Sequence, residues 1–271
     1  MMRFPQYTLM FALLICVPVH SQPRIGGGTC TNSIFNGTYY YVLSGTVISG
    51  SAVYPYAELG KLVADGQGNV SGRSQASVGG LLGNYTLSGT YSVQANCAGT
   101  LTLTANSQTS PPAIFQVVNG GEGAIIAYSM QSAVVTGQAY RSDGAGQCAN
   151  GSVSGSYAYL LTGVTWVSNI GYYYSQAGNA VSDGNGNMSV GSTVNVNGTT
   201  VSTSATGSYS LASDCSGTVR VSNQNGTANY IVGVVENGQG MVFLETDSGT
   251  TVGGTAQPQF TGYYCNTLKR D

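Results

Sequence analysis

Residues 36–43 read Asn-Gly-Thr-Tyr-Tyr-Tyr-Val-Leu, and residues 154–161 read Ser-Gly-Ser-Tyr-Ala-Tyr-Leu-Leu. From Tyr39 in the first segment and from Tyr157 in the second, every second residue is large and apolar or aromatic. The shared positions are Tyr39, Tyr41 and Leu43 in the first segment and Tyr157, Tyr159 and Leu161 in the second. Because side chains alternate across a strand, this shared face is predicted to be the packed one. The intervening positions vary, as Tyr40 against Ala158 shows.

These segments belong to a longer internal repeat with an offset of 118 residues. Cys30 and Cys97 recur as Cys148 and Cys215, since 148 − 30 and 215 − 97 are both 118. The offset also carries Asp65-Gly66 onto Asp183-Gly184, Tyr91-Ser92 onto Tyr209-Ser210, Asn119-Gly120 onto Asn237-Gly238 and, after the loss of one residue, Gly137 onto Gly254. Self-similarity at a fixed period predicts a tandem duplication.

The fold class follows from the period of two and from the turns. Asp-Gly and Asn-Gly pairs between apolar runs are typical of two-residue hairpin turns. Each copy has room for about eight strands of ordinary length. We therefore predict an all-β chain of two tandem antiparallel barrels, each of about eight strands, because closure removes unprotected sheet edges. A β-sandwich is the alternative, and a transmembrane barrel conflicts with the polar variable face.

The chain is expected to be exported. A short basic start followed by an apolar run as far as Val19 is typical of a secretory signal that is cut after Ser21. The predicted segments are a signal peptide (1–21), an N-terminal linker (22–29), a first barrel (30–142), a linker (143–147), a second barrel (148–262) and a C-terminal tail (263–271). We expect a secreted or cell-surface protein without a transmembrane segment, whose barrels fold separately with few contacts between them.

Cysteine spacing predicts two disulfides. Removal of the signal leaves five cysteines, and an oxidising compartment favours their pairing. The repeat favours Cys30–Cys97 and Cys148–Cys215, whereas the rival pairing Cys30–Cys148 would break the symmetry. Cys265 is left unpaired, which offers a route to an oligomer, a free thiol or a buried inert thiol.

The composition excludes several classes of function. Charged residues make up 7% of the chain and form no basic patch, so no nucleic-acid partner is expected. The only histidine, His20, lies in the predicted signal peptide. A mature chain without histidine cannot use Ser-His-Asp or Cys-His catalysis or histidine metal sites. We therefore predict no metal, no cofactor and no enzymatic activity.

Two weak candidates for acid–base chemistry remain. Glu245 and Asp247 are two residues apart and are expected on one strand face, about 7 Å apart. Paired carboxylates can hydrolyse glycosides. Their counterparts at the offset of 118 are Ala127 and Ser129, and a solvated strand end is the simpler interpretation.

The second candidate is Glu58 with Lys61, on a strand of the first copy. The second copy has Gln176 and Asn179 at these positions. A glutamate inside a barrel could act as a general acid with a raised pKa. A surface or rim position is the alternative.

Tyrosines are the candidate binding residues. Tyr40, Tyr172, Tyr173 and Tyr174 cluster around the first two strands of their copies. Tyrosine combines an apolar face with a polar tip, which suits contacts with sugars or partner proteins. The expected partner is an extracellular protein, a glycan or a small apolar ligand.

The turn and strand motifs resemble a known family. The motifs are Asn36-Gly37-Thr38-Tyr39, Asp65-Gly66-Gln67-Gly68-Asn69, Ser88-Gly89-Thr90-Tyr91 and Cys97-Ala98-Gly99-Thr100, with a matching set in the second copy. Their pattern resembles secreted bacterial repeat proteins of unknown function, which are themselves similar to the allene oxide cyclase barrel. The resemblance implies a fold, and no position matches a catalytic residue of the cyclases.

Three functions are therefore compared. The leading one is a secreted non-enzymatic module of a surface, matrix or adhesion type. The alternatives are a carrier of a small apolar ligand in the barrel lumen and an isomerase of the allene oxide cyclase type, which rests on fold analogy alone. A filled lumen would favour the first, an open tyrosine-lined lumen the second, and an open lumen with one buried, ordered carboxylate the third.

Overall fold

The computed structural model describes residues 29–128, 132–142, 147–168 and 170–259. The predicted signal peptide and Cys265 lie outside the described residues. The described chain contains seventeen strands and four short 3-10 turns. The strands close into two antiparallel barrels of eight principal strands each, which confirms the predicted fold class. In the described part of the chain, no helix is long and apolar enough to cross a membrane.

The first barrel is formed by nine strands. They are β1 (Asn36–Ser49), β2 (Ala52–Asp65), β3 (Asn69–Val78), β4 (Leu81–Val93), β5 (Ala98–Ala105), β6 (Gln108–Thr109), β7 (Ala113–Val118), β8 (Gly123–Tyr128) and β9 (Ala133–Arg141). Each principal strand pairs with the next in the chain, and β9 pairs with β1 to close the barrel. The two-residue strand β6 pairs only with β5, so it lies outside the closed ring.

The second barrel is formed by eight strands. They are β10 (Gly155–Val167), β11 (Ile170–Ser182), β12 (Asn187–Val196), β13 (Thr199–Leu211), β14 (Ser216–Asn223), β15 (Gly226–Val235), β16 (Gly240–Glu245) and β17 (Thr250–Pro258). They pair in chain order, and β17 closes the ring against β10.

The shared face of the opening strands forms the barrel interior, as the alternation predicts. Tyr39, Tyr41 and Leu43 of β1 are almost completely buried in the core of the first barrel. The ring of Phe35 closes one end of this core by stacking on Tyr39, with 4.2 Å between ring centroids. Burying such side chains stabilises the barrel by about 1.5–3 kcal/mol each.

Both predicted disulfides are present. Cys30–Cys97 and Cys148–Cys215 each join residues 67 apart in sequence. Each bond ties the segment before the first strand of a barrel to the turn that precedes β5 or β14. The rival pairing of Cys30 with Cys148 is therefore wrong.

The structure places the lost residue of the second copy earlier than the sequence suggests. Asn119 and Glu236 adopt the same left-handed backbone, with φ of 51° and 52°. The Tyr39 hydroxyl donates to the Gly121 carbonyl, as the Tyr157 hydroxyl does to Gly238. The offset is thus 117 (238 − 121) by this point, so the residue is lost in the hairpin between β5 and β7. The match of Asn119-Gly120 to Asn237-Gly238 is therefore shifted by one position.

The two barrels share an apolar interface, contrary to the expectation of few contacts. The outward residues Tyr40 and Val42 of β1 are buried, as are Ala57 and Leu59 of β2. They face the outer side of β15 to β17, where Val242, Leu244 and Thr251 are also buried. Tyr40 packs directly over Gly233, where any side chain would overlap its ring.

Polar contacts complete the interface. The Tyr40 hydroxyl donates to the Asp214 carbonyl over 2.9 Å. The Asp214 carboxylate pairs with Lys61 at 3.1 Å and with Arg73 at 2.9 Å. Burial would raise the pKa of Asp214, but hydrogen bonds from Ser216 and Lys61 outweigh it and lower the pKa to about 2. The hydroxyl of Ser77 in the first barrel donates to the carbonyl of Thr250 in the second.

Candidate functional site

The most unusual polar group of the first barrel is Glu58. It lies on β2 opposite Leu43 of β1, points inward and is only 5% exposed. The Tyr41 hydroxyl donates to its Oε1 over 2.7 Å, and the Tyr56 hydroxyl donates to its Oε2. Gly60 makes this arrangement possible, since a side chain there would overlap the Tyr41 ring.

Glu58 borders a cavity of about 150 Å³ inside the first barrel. Its polar lining comprises Tyr56, Glu58, Ser74, Tyr85, Ser110 and Tyr128, and its apolar lining comprises Val47, Leu87, Leu103, Ala105, Ala133 and Val135. The cavity is too small for a typical drug-sized ligand, which occupies roughly 300–1,000 Å³. It is as large as engineered apolar cavities of about 150 Å³ that hold benzene.

The tyrosines around Glu58 are held in the protonated form. Burial, followed by the charge of Glu58, raises the pKa of Tyr41 well above its usual value. The same two causes, in the same order, raise the pKa of Tyr56 and of Tyr128. These phenols are therefore hydrogen-bond donors to a carboxylate and poor proton-transfer groups near neutral pH.

The second barrel holds the same arrangement with an amide in place of the acid. Gln176 lies 118 residues after Glu58, between Tyr159 and Tyr174. Its Nε2 donates to the Tyr159 hydroxyl over 2.7 Å and to Ser192 Oγ over 2.8 Å, and its Oε1 accepts from Tyr174. Every polar group of this cluster is thus paired.

The first barrel lacks the contact that Gln176 makes with Ser192 in the second. Ser74 is the counterpart of Ser192 and is 6% exposed. Its Oγ makes no hydrogen bond of normal geometry, although it lies close enough to the Tyr41 hydroxyl to lower the pKa of that group. Unlike Gln176, Glu58 carries no N–H group that could donate to this serine. A buried hydroxyl without a partner costs about 1–3 kcal/mol. Ser74 lines the cavity, so an N–H donor in the cavity could satisfy it.

The lumen of the second barrel is smaller and mostly apolar. Its cavity measures about 70 Å³, and Met188, Val190, Val219 and Phe243 are among its lining residues. A lumen filled in this way supports packing more than ligand binding.

The second barrel places its buried carboxylate elsewhere. Glu245 is 8% exposed and pairs across strands with Tyr230. At the corrected offset of 117 its counterpart is Tyr128, not Ala127. Burial, and secondarily the charge of Asp247, raises the pKa of Glu245 to about 7.

Asp247 has a structural role in a turn. Its carboxylate accepts hydrogen bonds from the Asn229 backbone and side chain, both over 2.7 Å. It lies beyond the end of β16, where it holds the turn to β17. Because both carboxylate oxygens are occupied, the pairing with Glu245 expected for glycoside hydrolysis is not supported by its contacts.

Lys61 does not join Glu58. Residues three apart on a strand point to opposite faces, so Glu58 enters the lumen while Lys61 faces the second barrel. Lys61 also lies 5.8 Å from the centroid of the Tyr40 ring. The expected pairing of Glu58 with Lys61 is therefore wrong. The alternation of side chains along a strand already excludes it.

The candidate binding tyrosines are divided among three environments. Tyr40 points outward, as expected, but the second barrel covers it. Tyr174 contacts Gln176 in the cluster described above, and Tyr172, in phase with it, is half-buried. Only Tyr173, 76% exposed, is freely accessible to a partner among these four.

Sequence reasoning selected Glu58 but missed Tyr41, Tyr56 and Ser74. The signal was present in the duplication, since tyrosine, tyrosine and serine recur at offset 118 around Gln176. It could not be used before strand register showed that these positions meet across β1, β2 and β3. Among the described residues no group of three or more His, Cys, Asp or Glu side chains could hold a metal ion.

Comparisons with known proteins give little further information. No protein-family model and no curated protein matches the chain, so the resemblance to secreted repeats and cyclase barrels stays a hypothesis. Among solved structures, the chain is similar to a protein of Nitrosomonas europaea assigned as AttH, with 8% identity, a TM-score of 0.25, and coverage of 83% of this chain and 93% of that one.

Two further solved structures are similar at the same level. Kievitone hydratase from Nectria haematococca has 7% identity and a TM-score of 0.25, with 82% and 88% of the two chains covered. CghA with Sch210972 has 6% identity and a TM-score of 0.23, with 86% and 94% covered. At such TM-scores these likenesses carry no argument about activity.

Proposed function

We propose that this chain is a non-enzymatic extracellular binding protein whose first barrel holds a small ligand. The observation that carries the proposal is the cavity of about 150 Å³ bordered by Glu58 and by Ser74, whose buried Oγ makes no hydrogen bond of normal geometry. Buried polar groups are normally paired, and an exception inside a cavity is a candidate contact for a ligand. The second barrel, with its smaller apolar lumen, acts as a structural partner of the first.

The contacts of Glu58 favour binding over catalysis. Both of its oxygens accept hydrogen bonds from tyrosines, and the surrounding phenols have raised pKa values. A general acid or base works best with a pKa near the working pH, which these phenols lack. Ordered acceptors in a cavity instead orient and retain a ligand.

An extracytoplasmic location is part of the proposal. Two intramolecular disulfides support it, because such bonds persist in oxidising compartments. The predicted signal peptide agrees with this location. Tyr173 remains available for a surface or adhesion contact of the module.

The binding function is tested by filling the cavity. Ala133 lines the cavity and is buried, so Ala133→Leu would place three extra carbon atoms in it. Ala180→Leu, which fills the lumen of the second barrel, is the matched control. A screen of small fragments by NMR should find binders that shift first-barrel resonances in the wild type and in Ala180→Leu but not in Ala133→Leu.

Two results would contradict this proposal. One is the absence of any fragment that perturbs first-barrel resonances, together with native mass spectrometry that detects no retained small molecule. The other is fragment binding that Ala133→Leu leaves unchanged, since the site would then lie outside the cavity.

A lumenal isomerase is the second candidate, because the lumen contains one buried, ordered carboxylate. It is tested by turnover of fatty-acid-derived and other small unsaturated substrates. Turnover that disappears in Glu58→Gln would favour the isomerase over the binding protein.

A further inference from the structure

We propose that the ligand of the first barrel is a small primary alkylammonium ion, bound through its N–H groups by Glu58 and Ser74. This inference rests on the proposed lumenal binding function and specifies the class of ligand. It starts from the comparison of two equivalent clusters, one of which contains an N–H donor that the other lacks.

The second barrel shows what the first barrel is missing. There, Nε2 of Gln176 supplies two N–H groups, one to the Tyr159 hydroxyl and one to Ser192 Oγ. In the first barrel the corresponding serine, Ser74, receives no donor. A ligand that brings a nitrogen with several N–H groups beside Glu58 would restore this contact.

Charge selects a cation among such donors. Glu58 is buried, and within the described residues its hydrogen bonds come from the neutral hydroxyls of Tyr41 and Tyr56. The three ion pairs of the described residues involve Lys61, Arg73 and Arg141, and none of them includes Glu58. Buried carboxylates are normally paired with a cation, so the lumen has an unmet requirement for positive charge.

Size and lining limit the rest of the ligand. A cavity of about 150 Å³ accommodates about the volume of benzene. Beyond Glu58 and the hydroxyls, the lining is aliphatic, including Leu87, Leu103 and Val135. An ammonium group on a short alkyl chain of three to five carbons, roughly the size of benzene, matches both the polar and the apolar parts.

The test uses three probes of similar shape and different charge on the full mature protein. They are n-propylammonium, 1-propanol and propionate, each titrated at pH 7 by NMR. We expect n-propylammonium to bind about 10- to 100-fold more tightly than 1-propanol, because a hydrogen bond to a charged group is worth about 1.5–3 kcal/mol. Propionate should not bind.

Glu58→Gln is the decisive variant, because Gln176 shows that the same cluster accepts an amide. It should lose the preference for n-propylammonium over 1-propanol by the same 10- to 100-fold while its folded spectrum is retained. Ser74→Ala should lower the affinity for n-propylammonium by about 3- to 10-fold and the affinity for 1-propanol by less.

The outcomes separate this inference from the binding function. Equal or tighter binding of 1-propanol, abolished by Ala133→Leu, would overturn the cation inference and leave lumenal binding in place. Retention of the n-propylammonium preference in Glu58→Gln would also overturn it. If no probe and no fragment enters the lumen, both proposals fail.

Discussion

The two barrels share one topology but differ in how completely the polar side chains in their lumens are hydrogen-bonded. In the second barrel Gln176 pairs with two tyrosines and a serine around a cavity of about 70 Å³. In the first barrel Glu58 keeps the tyrosines, but it makes no contact with Ser74 like that of Gln176 with Ser192, and the cavity beside it measures about 150 Å³. An oxygen in place of the Gln176 nitrogen, together with the larger cavity, is the difference on which the proposed ligand site rests.

Their outer faces differ in a complementary way. The first barrel has Tyr40 where the second has Ala158, and the second has Gly233 where the first has Gln116 at the corrected offset. The tyrosine and the glycine meet in the interface, and Gln116 instead donates to the Asn96 carbonyl. The two copies thus differ at both positions of this contact. Tyr40 therefore comes from the first barrel and Gly233 from the second.

The largest expected effect on stability is the removal of a disulfide, and it should be the same in both barrels. Removing either disulfide, as the pair Cys30→Ser with Cys97→Ser or the pair Cys148→Ser with Cys215→Ser, should lower the free energy of unfolding by about 4 kcal/mol. The reason is that both bonds close loops of 67 residues. Denaturant unfolding under oxidising conditions measures it. Costs that differ by several kcal/mol would show that loop length does not govern these bonds.

The second largest effect on stability is expected at the interface between the two barrels. Tyr40→Ala gives the first barrel the residue found in the second and should cost about 3 kcal/mol, since Tyr40 is 1% exposed and hydrogen-bonded. Calorimetry should then resolve two unfolding transitions where the wild type has one. Tyr173→Ala, at an exposed position, is the control and should change stability by less than about 0.5 kcal/mol. Two transitions in the wild type would instead support independent barrels.

Glu245 predicts a pH dependence that belongs to the second barrel. Its folded-state pKa of about 7 lies above its usual value of 4.5. Between these values the folded state holds more protons than the unfolded state, so stability falls as pH rises from about 4.5 to 7. The loss is of the order of 3 kcal/mol at most. Urea unfolding across this range should show a slope that Glu245→Gln reduces. A slope unchanged in that variant would assign it to another group.

The smallest effect tests the exchange of acid and amide directly. Glu58→Gln should stabilise the first barrel by about 1 kcal/mol, because the new amide can donate to Ser74. Gln176→Glu should destabilise the second by a similar amount, because Ser192 loses its donor whereas Tyr159 can donate to the carboxylate as Tyr41 does. Thermal unfolding of both variants beside the wild type measures the difference. Stability changes of the same sign in the two variants would contradict this prediction.

Part of this architecture could be predicted from the sequence alone. The strands, the two closed barrels, the inward tyrosines and both disulfides depend on local periodicity and on one repeated spacing. Both signals can be read along the chain without knowing which strands pair. Glu58 could be selected as a candidate for the same reason, since it is an acid within an apolar strand.

The tertiary structure decided which of these residues meet. Strand register brought Tyr41, Tyr56 and Glu58 together, and the pleat sent Lys61 to the opposite face. Packing of one barrel on the other buried Tyr40. Such contacts join residues that are distant in sequence, up to 174 positions for Tyr40 and Asp214. Their energies depend on geometry after closure, which no local pattern of residues encodes.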